Sequence, residues 1–166
     1  SLGCYEDPLS SAIRKGKLAK WESGLKHLGS MLGNKVKGSV PPDSIVTPVP
    51  MPSIRKFVRG IHHSSVIAKA LAKRAELPYR QLLWRKGGRT QAGQSEAIRT
   101  QLQWSSMKLL PWTRNIKGMN IILVDDVLTT GRTLHVAVKH LRAGGARSIR
   151  VAVIATTKMP RKGQKK

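Results

Sequence analysis

The chain has 166 residues, with 31 Lys and Arg against 8 Asp and Glu, a formal net charge of +23, and 40% hydrophobic content. That length and apolar fraction suit one domain with its own core, and no run approaches the roughly 18 apolar residues of a membrane span. The single cysteine, Cys4, excludes an internal disulfide and a zinc ribbon within these residues and points to a reduced, cytoplasmic setting. Ser1 to Leu9 contains acids and no apolar run, so no secretory signal is expected there. The charge favours polyanions, among them nucleic acid, pyrophosphate and acidic membrane surfaces. Four Trp, two Tyr and one Phe are too few for a broad base-stacking platform.

In chain order, Leu9 to Met31 reads as a helix. Leu18, Trp21, Leu25, Leu28 and Leu32 recur at steps of three and four and make one apolar face. Gly16, Gly24 and Gly29 weaken it, and Gly33-Asn34 is the expected stop. Lys35 to Asp43, with Pro41-Pro42, reads as a linker. Ser44 to Val49 is a buried strand. Pro48, Pro50 and Pro52 then impose an extended loop, because proline fixes φ and lacks a donor. A second helix is expected over Gly60 to Leu77 and a short strand over Tyr79 to Trp84. Arg85 to Arg114 has no clean period, which is long for a connection and suggests a functional loop, with a short helix around Ser95 to Leu102. Met119 to Val124 is the clearest strand. Thr133 to Ala143 follows as a helix closed by Gly144-Gly145, and Ser148 to Ala155 as a last strand. The tail, Lys158 to Lys166, reads as basic and disordered. The division is therefore an N-terminal helical segment at 1–40, a core at 41–157 and the tail at 158–166. The alternation of strands and helices implies an α/β fold with a parallel sheet. Ligands of such sheets bind beyond the carboxyl ends of the strands.

The acids locate the chemistry. Six are scattered through basic or loop sequence; Asp125 and Asp126 stand together at the end of the most apolar strand. Adjacent carboxylates repel and resist desolvation, so such a pair usually serves a ligand, a cation or a hydrogen-bond network. The segment runs Ile121-Ile122-Leu123-Val124-Asp125-Asp126-Val127-Leu128-Thr129-Thr130-Gly131-Arg132-Thr133. Two carboxylates can accept hydrogen bonds from a vicinal diol. The N–H groups and hydroxyls of Thr129 to Thr133 can wrap a phosphate where a helix begins, and Gly131 permits a positive φ. A ribose 5-phosphate offers that pairing of diol and phosphate. An ordinary strand–turn–helix with capping threonines is the plainer alternative.

This segment resembles the signature of type I phosphoribosyltransferases: an apolar run, two acids, two apolar residues, Thr-Thr-Gly and a final Thr. The resemblance implies the parallel-sheet type I fold and binding of phosphoribosyl pyrophosphate with Mg²⁺. Asp125 and Asp126 would hold the ribose hydroxyls and steady Mg²⁺ through water. Val127, Leu128, Thr129, Thr130, Gly131, Arg132 and Thr133 would form the phosphate loop. The chain further resembles the ComF-type competence subgroup. Tyr5 to Leu9 looks like its entry helix. Pro48-Val49-Pro50, with Met51, Arg55 and Arg59-Gly60, looks like its pyrophosphate-side loop. Arg89-Thr90, Ser95 and Arg99 look like its mobile loop. His62-His63 stand where the subgroup has Asn-Gln. They are read as residues of a helix start, with contact to pyrophosphate or nucleic acid as the alternative.

The family reaction displaces pyrophosphate through a cationic transition state, which needs a neutralised leaving group and a closed site. Arg55, Lys56 and Arg59 are candidates for the pyrophosphate side, and Arg85, Lys86, Arg89 and Arg99 for closure from the mobile loop, with Arg89 counted among the catalytic residues. Some purine-salvage members carry an Asp general base where this chain has Thr129, so no base for a purine is evident there. Two function classes follow: transfer of phosphoribosyl to an unidentified acceptor, or a DNA-uptake factor that binds single-stranded DNA through its basic surface. A transcriptional regulator is less favoured, since no helix-turn-helix segment stands out.

Overall fold

A computed structural model of the chain describes residues 1–16, 21–51, 62–86, 106–113 and 116–157. The two longest strands are β5 (Asn120–Leu128) and β6 (Ser148–Thr156), which pair in parallel over their full length. Their apolar side chains supply both faces of the core, as expected of a sheet covered on both sides. β2 (Ile45–Pro48) lies parallel on the other edge of β5, with Ile45 opposite Ile121 and Pro48 opposite Val124. β1 (Gly3–Cys4) is short and pairs in parallel with the end of β6. The sheet order is thus β1-β6-β5-β2.

On one face lie α1 (Leu9–Gly16), α2 (Glu22–Val36) and α3 (His63–Ala75). Ile13, Leu25, Leu28, Leu32, Ile67 and Leu71 pack there against Val46, Ile122, Val124 and Ile154. On the other face α4 (Arg132–Ala143) sets Leu134, Ala137 and Leu141 against Ile121, Leu123 and Val153. That second core also takes in a small antiparallel pair, β3 (Leu83–Arg85) and β4 (Met107–Leu109), through Leu83 and Met107.

Five elements differ from the sequence reading, one of them β4, a strand within the stretch Arg85 to Arg114 that reads as a loop. The first helix is two: α1 ends at Gly16, and α2 begins at Glu22 after Trp21, whose ψ of 39° lies outside the helix. Residues 17–20 lie outside the described set. α2 then runs through the expected stop at Gly33-Asn34 to Val36. Its glycines are contact points. A Cβ on Gly29 would lie 2.6 Å from the Ile67 carbonyl oxygen, and one on Gly33 would lie 2.8 Å from the Arg74 Cβ. Glycine here lets α2 and α3 approach more closely than side chains allow, so packing overrides the weak helix propensity.

The run Tyr79 to Trp84 does not become a strand of the parallel sheet. Tyr79 makes one isolated parallel bridge to Val46, and only Leu83 to Arg85 pair, antiparallel, with β4. β1 has no counterpart in the sequence reading, since two residues carry no periodicity. Finally, β5 extends four residues past Val124, so the acids lie on the strand and not beyond it. The helix expected near Ser95 and the tail at 158–166 lie outside the described residues.

Candidate functional site

β5 delivers the acids, and the turn after it delivers the donors. Gly131 is the N-cap of α4, with φ of 70° in the left-handed region. A Cβ there would be strained and would sit 3.3 Å from Leu128 Cδ1, so the turn requires glycine. The Gly131 carbonyl accepts from the His135 N–H at 2.8 Å and starts the helix. Thr157 fixes the end of β5: its N–H and its hydroxyl both donate to the Leu128 carbonyl, at 3.0 and 3.3 Å. Among the described residues, no protein acceptor takes the N–H groups of Thr129, Thr130 or Gly131. These donors stand at the positive end of α4. Asp125 and the residues from Val127 to Leu134 enclose a cup of about 50 Å³, the scale of one small anionic group.

Asp125 is half-buried. Its Oδ1 accepts from the Ser64 hydroxyl at 2.8 Å and from the Asp126 N–H at 2.9 Å. Burial, then the neighbouring Asp126 charge, pushes the Asp125 carboxyl up to about 7, against the pull of those two hydrogen bonds. Asp126 Oδ1 accepts from the Val127 N–H at 2.7 Å. Asp126 stands beside the cup but does not line it.

Other acids have partners that account for them. Asp7 accepts from Ser10 and Ser11 at the start of α1. Glu22 pairs with Lys26 at 2.9 Å and Glu76 with Lys37 at 2.5 Å. Asp43 accepts from Asn120 Nδ2 at 3.0 and 3.2 Å. No Lys or Arg among the described residues pairs with Asp125. A half-buried carboxyl beside a second one is a place where a bound cation relieves repulsion. Among the described residues no three His, Cys, Asp or Glu side chains converge on one point. Two carboxylates alone fit Mg²⁺, which keeps several waters and completes its shell with substrate phosphates.

Of the other sequence-derived site residues, Pro50 is buried and Met51 half-buried at the end of β2. The Val49 N–H donates to the Val124 carbonyl at 2.8 Å, which holds this loop's start beside β5. His62 Nε2 lies 3.0 Å from the Val49 carbonyl oxygen and 3.1 Å from the Met51 nitrogen. As a donor it binds the first, as an acceptor the second; in either tautomer the ring ties the loop to the start of α3. This is the helix-start role read from the sequence. Arg85 lies on β3, where its Nε donates to Ser106 Oγ at 3.3 Å, and it does not line the cup. Arg55, Lys56, Arg59, Arg89 and Arg99 fall outside the described residues. Sequence reasoning missed Ser64 and Thr157. Ser64 is one hydroxyl on an unremarkable helix turn, and only the packing of α3 beside β5, with its first turn at the strand's carboxyl end, brings it to Asp125.

The sequence pattern of the phosphoribosyl transferase domain matches residues 60–166. The chain belongs to that family. Within it, the chain is 32% identical over 101 residues to Competence protein ComFC of Bacillus subtilis, covering 61% of this chain and 39% of that protein. It is 27% identical over 158 residues to Competence protein F of Haemophilus influenzae, covering 90% of this chain and 69% of that protein. The chain therefore spans well under half of the Bacillus relative's length and about two thirds of the Haemophilus one's. It is a ComF-type phosphoribosyltransferase-fold protein. Its fold is that of the type I enzymes. It superposes on glutamine phosphoribosylpyrophosphate amidotransferase from B. subtilis with a TM-score of 0.57 and 26% identity, over 80% of this chain and 26% of that one.

Proposed function

We propose that this phosphoribosyltransferase-fold protein binds phosphoribosyl pyrophosphate together with Mg²⁺ and transfers the phosphoribosyl group to an acceptor. One observation carries the reading: the left-handed turn at Gly131 and the Asp125 carboxyl share one small cup. In that arrangement the N–H groups of Thr129, Thr130 and Gly131 and the threonine hydroxyls hold the 5-phosphate at the start of α4. Asp125 and Asp126 accept from the ribose hydroxyls, and the same two carboxylates hold Mg²⁺ through water. When bound, Mg²⁺ neutralises charge on the departing pyrophosphate. Transfer breaks the bond from the anomeric carbon to pyrophosphate and forms one to the acceptor nucleophile. The leaving pyrophosphate is met by cations, for which Arg55, Lys56, Arg59, Arg85, Lys86, Arg89 and Arg99 are the candidates. Ser64 keeps Asp125 in place, and His62 keeps Val49 to Met51 at the sheet's end. The chain offers no carboxylate at Thr129 to deprotonate a purine, so the acceptor proton leaves by another route.

No helix among the described residues is long and apolar enough to cross a membrane, and we place the protein in the cytoplasm. The test is release of pyrophosphate from phosphoribosyl pyrophosphate with Mg²⁺ present. Wild type releases it, and Asp125→Asn with Asp126→Asn does not. Equal release by both proteins, or none by wild type with a panel of nucleobases and amines, removes the transferase reading.

The net charge of +23 supports a second reading: a competence factor that binds single-stranded DNA through its basic surface, with slow turnover or none. Its mark is affinity that falls steeply with salt, as counterion release dictates.

A further inference from the structure

α2 and α3 run side by side in the same direction, in close contact at Gly29 and Gly33. Beside that contact they leave an open groove of about 1010 Å³, on the opposite face of the sheet from α4. α3 lines it from His62 to Glu76, and α2 lines it with Glu22, Lys26 and Ser30. Its charge is one-sided. Of its two acids, Glu22 is paired with Lys26 at 2.9 Å, and Glu76 is paired at 2.5 Å with Lys37, which holds the Glu76 carboxyl below its usual range. Lys69 and Lys73 are exposed, and no ion pair among the described residues neutralises either. Arg74 is exposed and donates to Asn34 Oδ1 at 2.5 Å, and its charge adds to that of Lys37 in lowering the Glu76 carboxyl. Lys69 and Lys73 are one helical turn apart, about 6 Å along the axis, so they present a row of charge and not a single point.

One aromatic side chain stands in the same groove. Tyr79 is half-buried. Its hydroxyl is fixed to Ser65 Oγ at 2.8 Å, and Lys69 Nζ lies 5.6 Å from its ring centroid. Lys69 sits over the face of a ring held at its tip, so a base that stacks there takes the place of the ammonium, which moves to the adjoining phosphate. Phosphates in a row with planar bases between them are the chemistry that meets a lysine row beside a fixed ring. A duplex buries its base faces, whereas a single strand offers both phosphates and unstacked bases.

We propose that the groove between α2 and α3 binds single-stranded nucleic acid, with Lys69, Lys73 and Arg74 on the phosphates and the Tyr79 ring under a base. This deepens the second reading of function and is independent of the sugar-phosphate cup. The experiment is fluorescence anisotropy with a labelled oligo-dT of about 20 nucleotides across a salt series. Four variants are compared with wild type. Lys69→Glu with Lys73→Glu alters the groove. Lys117→Glu with Arg147→Glu makes the same charge change in the loops entering β5 and β6. Tyr79→Leu removes the ring, and Tyr79→Phe keeps it. Thermal unfolding accompanies each, and Lys69→Gln with Lys73→Gln replaces the charge reversal if that variant melts early.

The groove double variant is expected to bind at least tenfold more weakly, and its salt slope should fall by about 1.4, at about 0.7 for each of two lost phosphate contacts. The loop double variant should lose less than about threefold, because screening at physiological salt confines charge effects to about 8 Å. Tyr79→Leu should weaken binding at least about fivefold with the slope unchanged, and Tyr79→Phe should match wild type. Equal losses from the two charge-reversed variants would mean a diffuse field and overturn the proposal. So would no binding by wild type, tighter binding to duplex than to single strand, or displacement of the strand by polyglutamate at equal charge concentration. The groove variants should bind phosphoribosyl pyrophosphate as wild type does, while Asp125→Asn should bind the strand as wild type does. Failure here and failure of the cup reading are therefore separable.

Discussion

Replacing Asp125 by Asn should stabilise the unliganded protein at pH 8 while destroying its site. The carboxyl is raised from an ordinary 3.8 to about 7, chiefly by burial and next by Asp126. Between those values the folded protein keeps a proton that the unfolded chain has released, so stability falls as pH rises through that window and stays low above it. Three units correspond to about 4 kcal/mol as an upper bound. Partial exposure and relaxation reduce this, and we expect about 2 kcal/mol. Asn is neutral and of the same shape. Its Oδ1 still accepts from Ser64 and from the Asp126 N–H, so the hydrogen bonds survive while the buried charge disappears. For a chain of this size that is a rise in Tm of about 5 °C at pH 8. At pH 5 the folded state keeps its proton while the unfolded chain has largely released its own, so part of the gain remains, and it shrinks toward zero only below about 3.8, where both states are protonated. The assay is thermal unfolding by circular dichroism at pH 5 and pH 8, without Mg²⁺ or phosphate ligands. A destabilised variant at pH 8, or the same gain at both pH values, refutes the reasoning.

Further outcomes follow from single contacts. Gly131→Ala places a Cβ in a left-handed turn, 3.3 Å from Leu128 Cδ1; we expect about 1–2 kcal/mol of destabilisation and at least tenfold weaker binding of phosphoribosyl pyrophosphate, read by calorimetry. Gly29→Ala drives a Cβ to 2.6 Å from the Ile67 carbonyl oxygen, where neither backbone yields, and should cost about 2–3 kcal/mol in denaturant unfolding. Ser64→Ala removes the hydroxyl that holds Asp125 and should weaken ligand binding about tenfold, with Ser64→Thr restoring part of it.

The central strand, the helix after it and the turn between them were legible because three signals coincide there: an apolar run, two adjacent acids, and a glycine where a turn needs one. The order of the sheet was not legible. β1 is two residues long and pairs only because α1 and the end of β6 bring it there. The α2 glycines read as a helix breaker and a stop, since the sequence does not show that α3 would press against them. Tyr79 to Trp84 has the composition of a buried strand, but the Pro78 carbonyl and the N–H of Arg80 bond to Val46 only briefly before the chain leaves for the antiparallel pair. In the site, residues near in sequence were identified together: Asp125, Gly131 and the threonines. Ser64 lies 61 positions before Asp125 and was invisible. The same holds for the groove, since Lys26 and Tyr79 have no sequence relation to Lys69.

The most direct measurement is a calorimetric titration of phosphoribosyl pyrophosphate into the protein in the presence of Mg²⁺, wild type against Asp125→Asn with Asp126→Asn. Saturable binding near one equivalent to wild type, lost when Mg²⁺ is withdrawn or the two acids are neutralised, is the result expected. Undiminished binding to the double variant, or none to wild type, would contradict a sugar-phosphate cup built from β5 and the start of α4.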